Sequence, residues 1–201
     1  MTRTSPDQSD QDAFTVRELS KATWDDFKDV LGRNGGARGC WCMHWRLSTD
    51  EWMAGKADGN MRAMRKLAGK GLAPGVVVYR GTTPVAWCSL GPRASFPRLE
   101  RSALLASIED LPVCAITCIF VQRKHRGCGL LPAILDAVCE YATDNGYTTA
   151  EGYPVEPRDG RRAGSDTAMT GIASAFLDAG FREVARPRSD RPIMRRSLRA
   201  G

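Results

Sequence analysis

No stretch of the 201-residue chain stays apolar for the roughly 18 residues that a membrane span needs. The opening MTRTSPDQSDQDA lacks the apolar core of a signal peptide. A cytoplasmic protein with no membrane partner is the expectation. A disulfide framework is equally unsupported: the seven cysteines are odd in number, and Cys88, Cys114, Cys118 and Cys139 sit inside apolar runs, as reduced core thiols do. Two phosphate-binding patterns are missing as well. There is no GxxxxGK followed by Ser or Thr, and no GxGxxG with an acidic residue about 20 positions further on, so neither a P-loop nor a dinucleotide fingerprint is present. No internal repeat is found.

What the chain does have is the make-up of an ordinary globular protein, 42% hydrophobic and 26% charged. Its length suits one domain, expected over 14–201 behind a disordered leader at 1–13. The net charge of +6 is concentrated at one end. The last twenty residues carry seven arginines (Arg182, Arg186, Arg188, Arg191, Arg195, Arg196, Arg199) against Glu183 and Asp190, and the rest is nearly neutral. This tail reads first as a solvated edge strand guarded by charge. An anionic acceptor or a nucleic acid is the other reading, and the lack of a basic binding face makes nucleic acid the weaker one.

Periodicity sets out the elements. Thr23 as an N-cap, with Trp24, Phe27 and Leu31 on one face and Gly32 at the stop, predicts a first helix. Met61, Met64, Leu67 and Ala68 predict another. From Pro74 the period falls to two: GVVVYR, a turn at Gly81 and PVAWCSLG read as a hairpin, with Pro84 calling for an edge or a bulge. Residues 91–111 are read as an excursion over the sheet. The nearly continuous apolar run Val113 to Val121 has the pattern of a central strand buried on both faces. After it come an amphipathic helix (Leu131, Ile134, Leu135, Val138, Tyr141), a short strand at 148–153, a helix closing at Gly180 and two last strands. The order predicts an α/β fold with a mixed central sheet flanked by helices.

The stretch with most chemistry in it is the central strand running into RGCGLL at the head of a helix. A helix N-terminus leaves backbone amides unpaired and partly positive, and glycines let an anion approach them. Lys124, His125 and Arg126 add charge. On residues alone the loop is either a phosphate cradle or a plain tight turn.

IFVQRKHRGCGLL resembles the acyl-CoA-binding motif of the GNAT superfamily of N-acetyltransferases, whose pattern is Arg or Gln, two residues, Gly, one residue, then Gly or Ala. Arg126 and Gly129 match, and Leu131 stands where Gly or Ala is usual. DAGF at 178–181 resembles the family's Gly-Phe signature after its last long helix. GCWCMHW and GPR-x-x-FPRLER are similar to a GNAT subgroup, a likeness that names no substrate. The resemblance implies the GNAT (acyl-CoA N-acyltransferase) fold, acetyl-CoA as cosubstrate and no metal. The acceptor would be a small-molecule or peptide amine that attacks the thioester directly. It implies that the amides of Ile119, Phe120 and Val121 pair with the pantetheine arm, and that those of Arg126, Gly127, Cys128, Gly129, Leu130 and Leu131 hold the pyrophosphate.

Two departures bear on catalysis. Thr117 stands where the family often has a carboxylate, and Phe176 where it often has a tyrosine acid. A proton route through water, or through Tyr153 at the end of the neighbouring strand, is then needed. Cys40, Cys42 and His44 alternate with Trp41, Met43 and Trp45. CxCxH lacks the spacing and the fourth ligand of a zinc site, and a thiol nucleophile paired with His44 is a minor reading. Structural packing is the main one, with Trp41, His44 and Trp45 beside the acceptor and His44 as a candidate base. The missing acid and base keep open an alternative function, a non-catalytic acyl-CoA sensor or interaction module on the same fold. The last strands offer an edge for a homodimer.

Overall fold

The computed structural model describes residues 13–56, 58–71, 73–157, 164 and 168–198. Of the expected leader only Ala13 lies among them, its carbonyl accepting a bond from the Gly81 amide (3.3 Å). Arg199 also falls outside them.

Seven strands form one sheet in the order β1-β2-β3-β4-β5-β7-β6: β1 Phe14–Glu18, β2 Val76–Arg80, β3 Thr83–Pro92, β4 Cys114–Val121, β5 Thr149–Gly152, β6 Arg182–Arg188 and β7 Arg191–Ser197. Every pairing is antiparallel except β4 with β5. The predicted central strand is fourth of seven, and the mixed sheet is as expected. β1 has no counterpart in the sequence reading. It is an edge strand of five residues in which only Phe14 and Val16 turn to the core, too short an alternation to stand out.

Among the described residues six α-helices flank the sheet: α1 Trp24–Leu31, α2 Thr49–Ala54, α3 Asp58–Gly69, α4 Pro97–Glu100, α5 Leu131–Asp144 and α6 Ala173–Asp178. Thr23 precedes α1 as predicted but does not cap it. Its hydroxyl instead donates to the Glu18 carbonyl (2.6 Å) and accepts from the Ser20 amide (2.9 Å), tying β1 to the helix. One face of the sheet packs Val76, Val78, Cys88, Leu90, Cys114 and Ile116 on Ile134, Leu135 and Val138 of α5 and Phe176 of α6. On the other, Val77, Tyr79 and Trp87 meet Phe27 of α1 and Met64 of α3. A third cluster of Phe96, Leu99, Leu105, Ala115, Tyr153 and Ile193 lies under the 93–111 excursion.

Two bulges bend the middle of the sheet. At Val85 the β2–β3 register steps from Val78↔Ala86 to Tyr79↔Pro84, so Pro84 enters β3 beside a bulge, as its missing amide hydrogen requires. At Thr117 the β3–β4 register steps from Leu90↔Ile116 to Ser89↔Cys118. The Thr117 side chain is buried and donates to Ser89 (3.3 Å). The arginine-rich tail divides: β6 is the exposed edge, whereas β7 lies between β5 and β6 with Ile193 and Met194 buried.

Candidate functional site

β4 and β5 pair over only three residues, Cys114↔Ala150 to Ile116↔Gly152, and then β5 ends. In an antiparallel strand alternate residues turn their N–H and C=O to opposite neighbours. From Thr117 to Val121, therefore, half of the β4 backbone groups face a side with no strand. Beside that open edge lies a cleft of about 1250 Å³. Its walls are the second half of β4, the loop Gln122–Leu130 leading into α5, the Asp29–Arg38 segment with Cys40 and Cys42, and Ala168–Ile172.

The loop at the head of α5 is built to expose backbone. Gly127 and Gly129 have φ of +78° and +67°, a region side chains rarely adopt, and nothing lies within 4 Å of where either Cβ would stand. Pro132 occupies the first turn of α5, where its missing donor removes no helical bond. Arg126 folds back. Its Nε donates to the Val121 carbonyl (2.8 Å) and its guanidinium lies 4.7 Å from the centre of the Phe120 ring, which holds a positive charge along the cleft. Gln122 Nε2 donates to the Asp29 carbonyl (3.2 Å) and Oδ2 (3.1 Å), joining the two walls. Two buried atoms on the cleft residues, Gln122 Oε1 and His125 Nε2, have no hydrogen-bond partner among the described residues. Burying such atoms unpaired is unfavourable, so the cleft has the chemistry of a polar-ligand site. Arg33, Arg38, Arg123 and Arg126 against one carboxylate, Asp29, make its described lining cationic.

The opposite wall is held by packing. Trp41 stacks on Trp24 (6.4 Å between centroids) and lies 6.0 Å from Phe27. Asn60, fully buried on α3, donates to the carbonyls of Gly39 (3.0 Å) and Trp52 (3.1 Å). The loop is tight: Arg38, Trp41 and Cys42 have φ between +47° and +55°. The CxCxH run is therefore a chain of turns, where period-two spacing does not put residues on one face. Cys42 Sγ contacts Cys118 Sγ on β4 at 3.4 Å.

The sequence profile of the acetyltransferase (GNAT) family matches residues 41–154. The chain belongs to the GNAT acetyltransferase family. Its fold matches solved GNAT structures along almost its whole length. An aminoglycoside acetyltransferase, AAC(6')-Ib in complex with paromomycin and acetyl-CoA, is 14% identical with a TM-score of 0.55, covering 92% of this chain and 94% of that one. A GNAT acetyltransferase from Listeria monocytogenes gives 11% and 0.54, with 92% and 95% covered. One from Desulfovibrio desulfuricans gives 16% and 0.53, with 93% and 100% covered. No curated protein sequence matches the chain.

Within this GNAT fold, Ile119, Phe120, Val121, Arg126, Gly127, Gly129, Leu130 and Leu131 line one cleft, and Cys128 is exposed on the same loop. His44 and Tyr153 are not among its lining residues. The His44 ring is wedged edge-on between Trp45 and Trp52, and the Arg98 guanidinium sits 3.2 Å from Nδ1. A guanidinium only donates, so Nδ1 is the acceptor and the proton resides on Nε2. Burial and then the Arg98 charge bring its pKa down to about 4. Tyr153 is fully buried, donating to Glu151 (2.5 Å) and accepting from Arg93 (2.9 Å). Burial, then the Glu151 carboxylate, holds its phenol well above the usual range. Phe176, at the position the family often gives to tyrosine, is packed against Phe181 at 4.9 Å in the core. The Asp29–Arg38 wall was missed from the sequence. Its signal was the glycine density of GRNGGARG, which reads equally as a bend. Among the described residues no cluster of metal-ligating side chains occurs, and no helix is long and apolar enough to cross a membrane.

Proposed function

We propose that the chain transfers an acetyl group from acetyl-CoA to a small-molecule amine, by direct attack of the amine on the thioester. The observation that carries this reading is the second half of β4, open on the side where β5 has ended, which runs along the cleft straight into the glycine loop of α5. An extended arm adds to a free strand edge through backbone groups alone, so Ile119, Phe120 and Val121 would take the pantetheine. The amides of Arg126 to Leu131 would take the pyrophosphate, with the α5 N-terminus and the Arg126 charge behind them. When bound, acetyl-CoA supplies an acyl carbon activated by its thiolate leaving group.

Asp29 is the one carboxylate on the described lining, and Gln122 already engages it. His44 and Tyr153 are given supporting roles, since His44 is tied to Arg98 and Tyr153 to Glu151 and Arg93. The proton of the attacking amine leaves through water. Binding of acetyl-CoA by calorimetry, followed by thiol release across aminoglycosides, polyamines, lysine and peptide N-termini, tests the proposal. Micromolar binding with turnover on one class supports it. Binding without turnover on any amine favours an acyl-CoA-binding module, a reading motivated by Thr117 and Phe176 standing where the family often has a carboxylate and a tyrosine. No binding at millimolar acetyl-CoA refutes both.

A further inference from the structure

We propose that Cys42 and Cys118 form an oxidisable dithiol at the inner end of the cleft, and that hydrogen peroxide closes it to a disulfide tying the Trp41 loop to β4. The two sulfurs are 3.4 Å apart, although 76 residues separate them in the chain. Both belong to the cleft lining, as Cys40 does. Cys88, Cys114 and Cys139 are buried in the packing between the sheet and α5. An oxidant small enough to enter the cleft therefore meets the Cys42–Cys118 pair, whereas Cys88 and Cys114 are fully buried.

The elements that carry the two thiols favour the reaction. Cys118 is the first residue beyond the Thr117 bulge, and Cys42 lies in a turn with φ of +55°. A disulfide bond is about 2.05 Å long, so the sulfurs need to close by roughly 1.4 Å. A strand bulge and a left-handed turn are places where the backbone can absorb such a shift. In an S–H···S contact one sulfur ionises first while the other keeps donating. Either sulfur can lead, since either can be the donor of this contact. The thiolate of one attacks hydrogen peroxide, the O–O bond breaks, and the released hydroxide takes up the thiol's proton as water, leaving a sulfenic acid. The sulfur of the other then attacks that sulfur, and the sulfenic oxygen leaves as a second water with the second thiol's proton. Overall two thiols and one peroxide give one disulfide and two waters.

The bond would fix the loop against the residue just before Ile119, the start of the proposed pantetheine edge. That consequence rests on the proposed cofactor site, whereas the disulfide itself does not. The full chain is treated with hydrogen peroxide, alkylated under denaturing conditions and mapped without reduction by mass spectrometry. The expected result is a Cys42–Cys118 linked peptide, loss of two of the seven titratable thiols, and a rise in Tm of roughly 5 °C or more that dithiothreitol reverses. Cys118→Ala and, separately, Cys42→Ser should abolish both the linked peptide and the Tm rise. Recovery of Cys42 and Cys118 as alkylated free thiols, with oxidation confined to Cys128, would overturn the proposal. Acetyl-CoA affinity, measured before and after oxidation, should fall at least 10-fold on closure. Absence of acetyl-CoA binding to the reduced protein counts against the cofactor site and leaves the mapped disulfide intact as a result.

Discussion

Replacing Gly152 with alanine should damage the fold at the point where β4 and β5 part. A Cβ built on Gly152 lies 2.2 Å from Cε1 of Phe176, 2.9 Å from Cζ and 3.0 Å from Cδ1. Carbon atoms in ordinary contact are about 3.5–4 Å apart, so the overlap exceeds 1 Å. The ring has nowhere to go. It is fully buried, the Cβ position of Gly171 is 2.5 Å from Cε2, and Phe181 stands edge-on at 4.9 Å. Overpacking costs about 1–3 kcal/mol, and a rigid ring boxed in by two glycine backbones puts this case near 3 kcal/mol. For a chain of this length that lowers Tm by roughly 6–12 °C. Urea unfolding of Gly152→Ala, Phe176→Leu and the double variant provides the assay. The double variant should be more stable than the sum of the singles by about 1 kcal/mol or more, because leucine vacates the space the methyl needs. Strict additivity, or a Gly152→Ala protein within about 0.5 kcal/mol of the parent, would refute the argument.

Further measurements address the site and its surroundings. Gly129→Glu should lose acetyl-CoA binding by 100-fold or more in calorimetry, since two like charges about 6 Å apart at an intermediate dielectric repel by about 1–2 kcal/mol each. The fold should lose only about 1 kcal/mol, from a side chain at φ +67° in open space. Glu151→Gln should cost about 3 kcal/mol in urea, because it leaves Arg93 and Arg195, each 11% exposed, without their buried carboxylate. His44 is neutral in the fold down to about pH 4 but takes a proton in the unfolded chain near 6.5. Tm should therefore fall as pH drops from 6.5 towards 4 and level off above, with His44→Gln flattening the slope and retaining kcat. Of seven thiols only Cys128 is exposed, so one should react fast with a thiol reagent, and acetyl-CoA should slow it.

The elements legible in the sequence were those whose pattern follows from burial. β4 was readable because six of its eight residues are buried, and α5 because Ile134, Leu135 and Val138 recur at helical spacing. β1 was not, because its period rests on two apolar residues alone, Phe14 and Val16. The glycine loop was legible by resemblance, whereas its partner wall at Asp29–Arg38 was not, since bare backbone turns leave no side-chain pattern. Tyr153 illustrates a harder limit. A tyrosine at a strand end reads alike whether its hydroxyl faces a ligand or, as here, a buried carboxylate two residues away. Only the long-range partner Arg93 distinguishes the two cases.

Thr117 gives β4 a change of parity. Up to Ile116 even-numbered side chains enter the core beneath α5, and beyond the bulge that role passes to Ile119 while Cys118 and Phe120 turn to the opposite face. Pairing the strand with Thr117 kept but without the bulge would exchange inside for outside along the rest of it. Phe120 would swing away from Arg126, and the valine at its end would be carried into the space the ring had held. A single inserted position thus lets one continuous strand work as core in its first half and as binding wall in its second, with no loop between the two tasks.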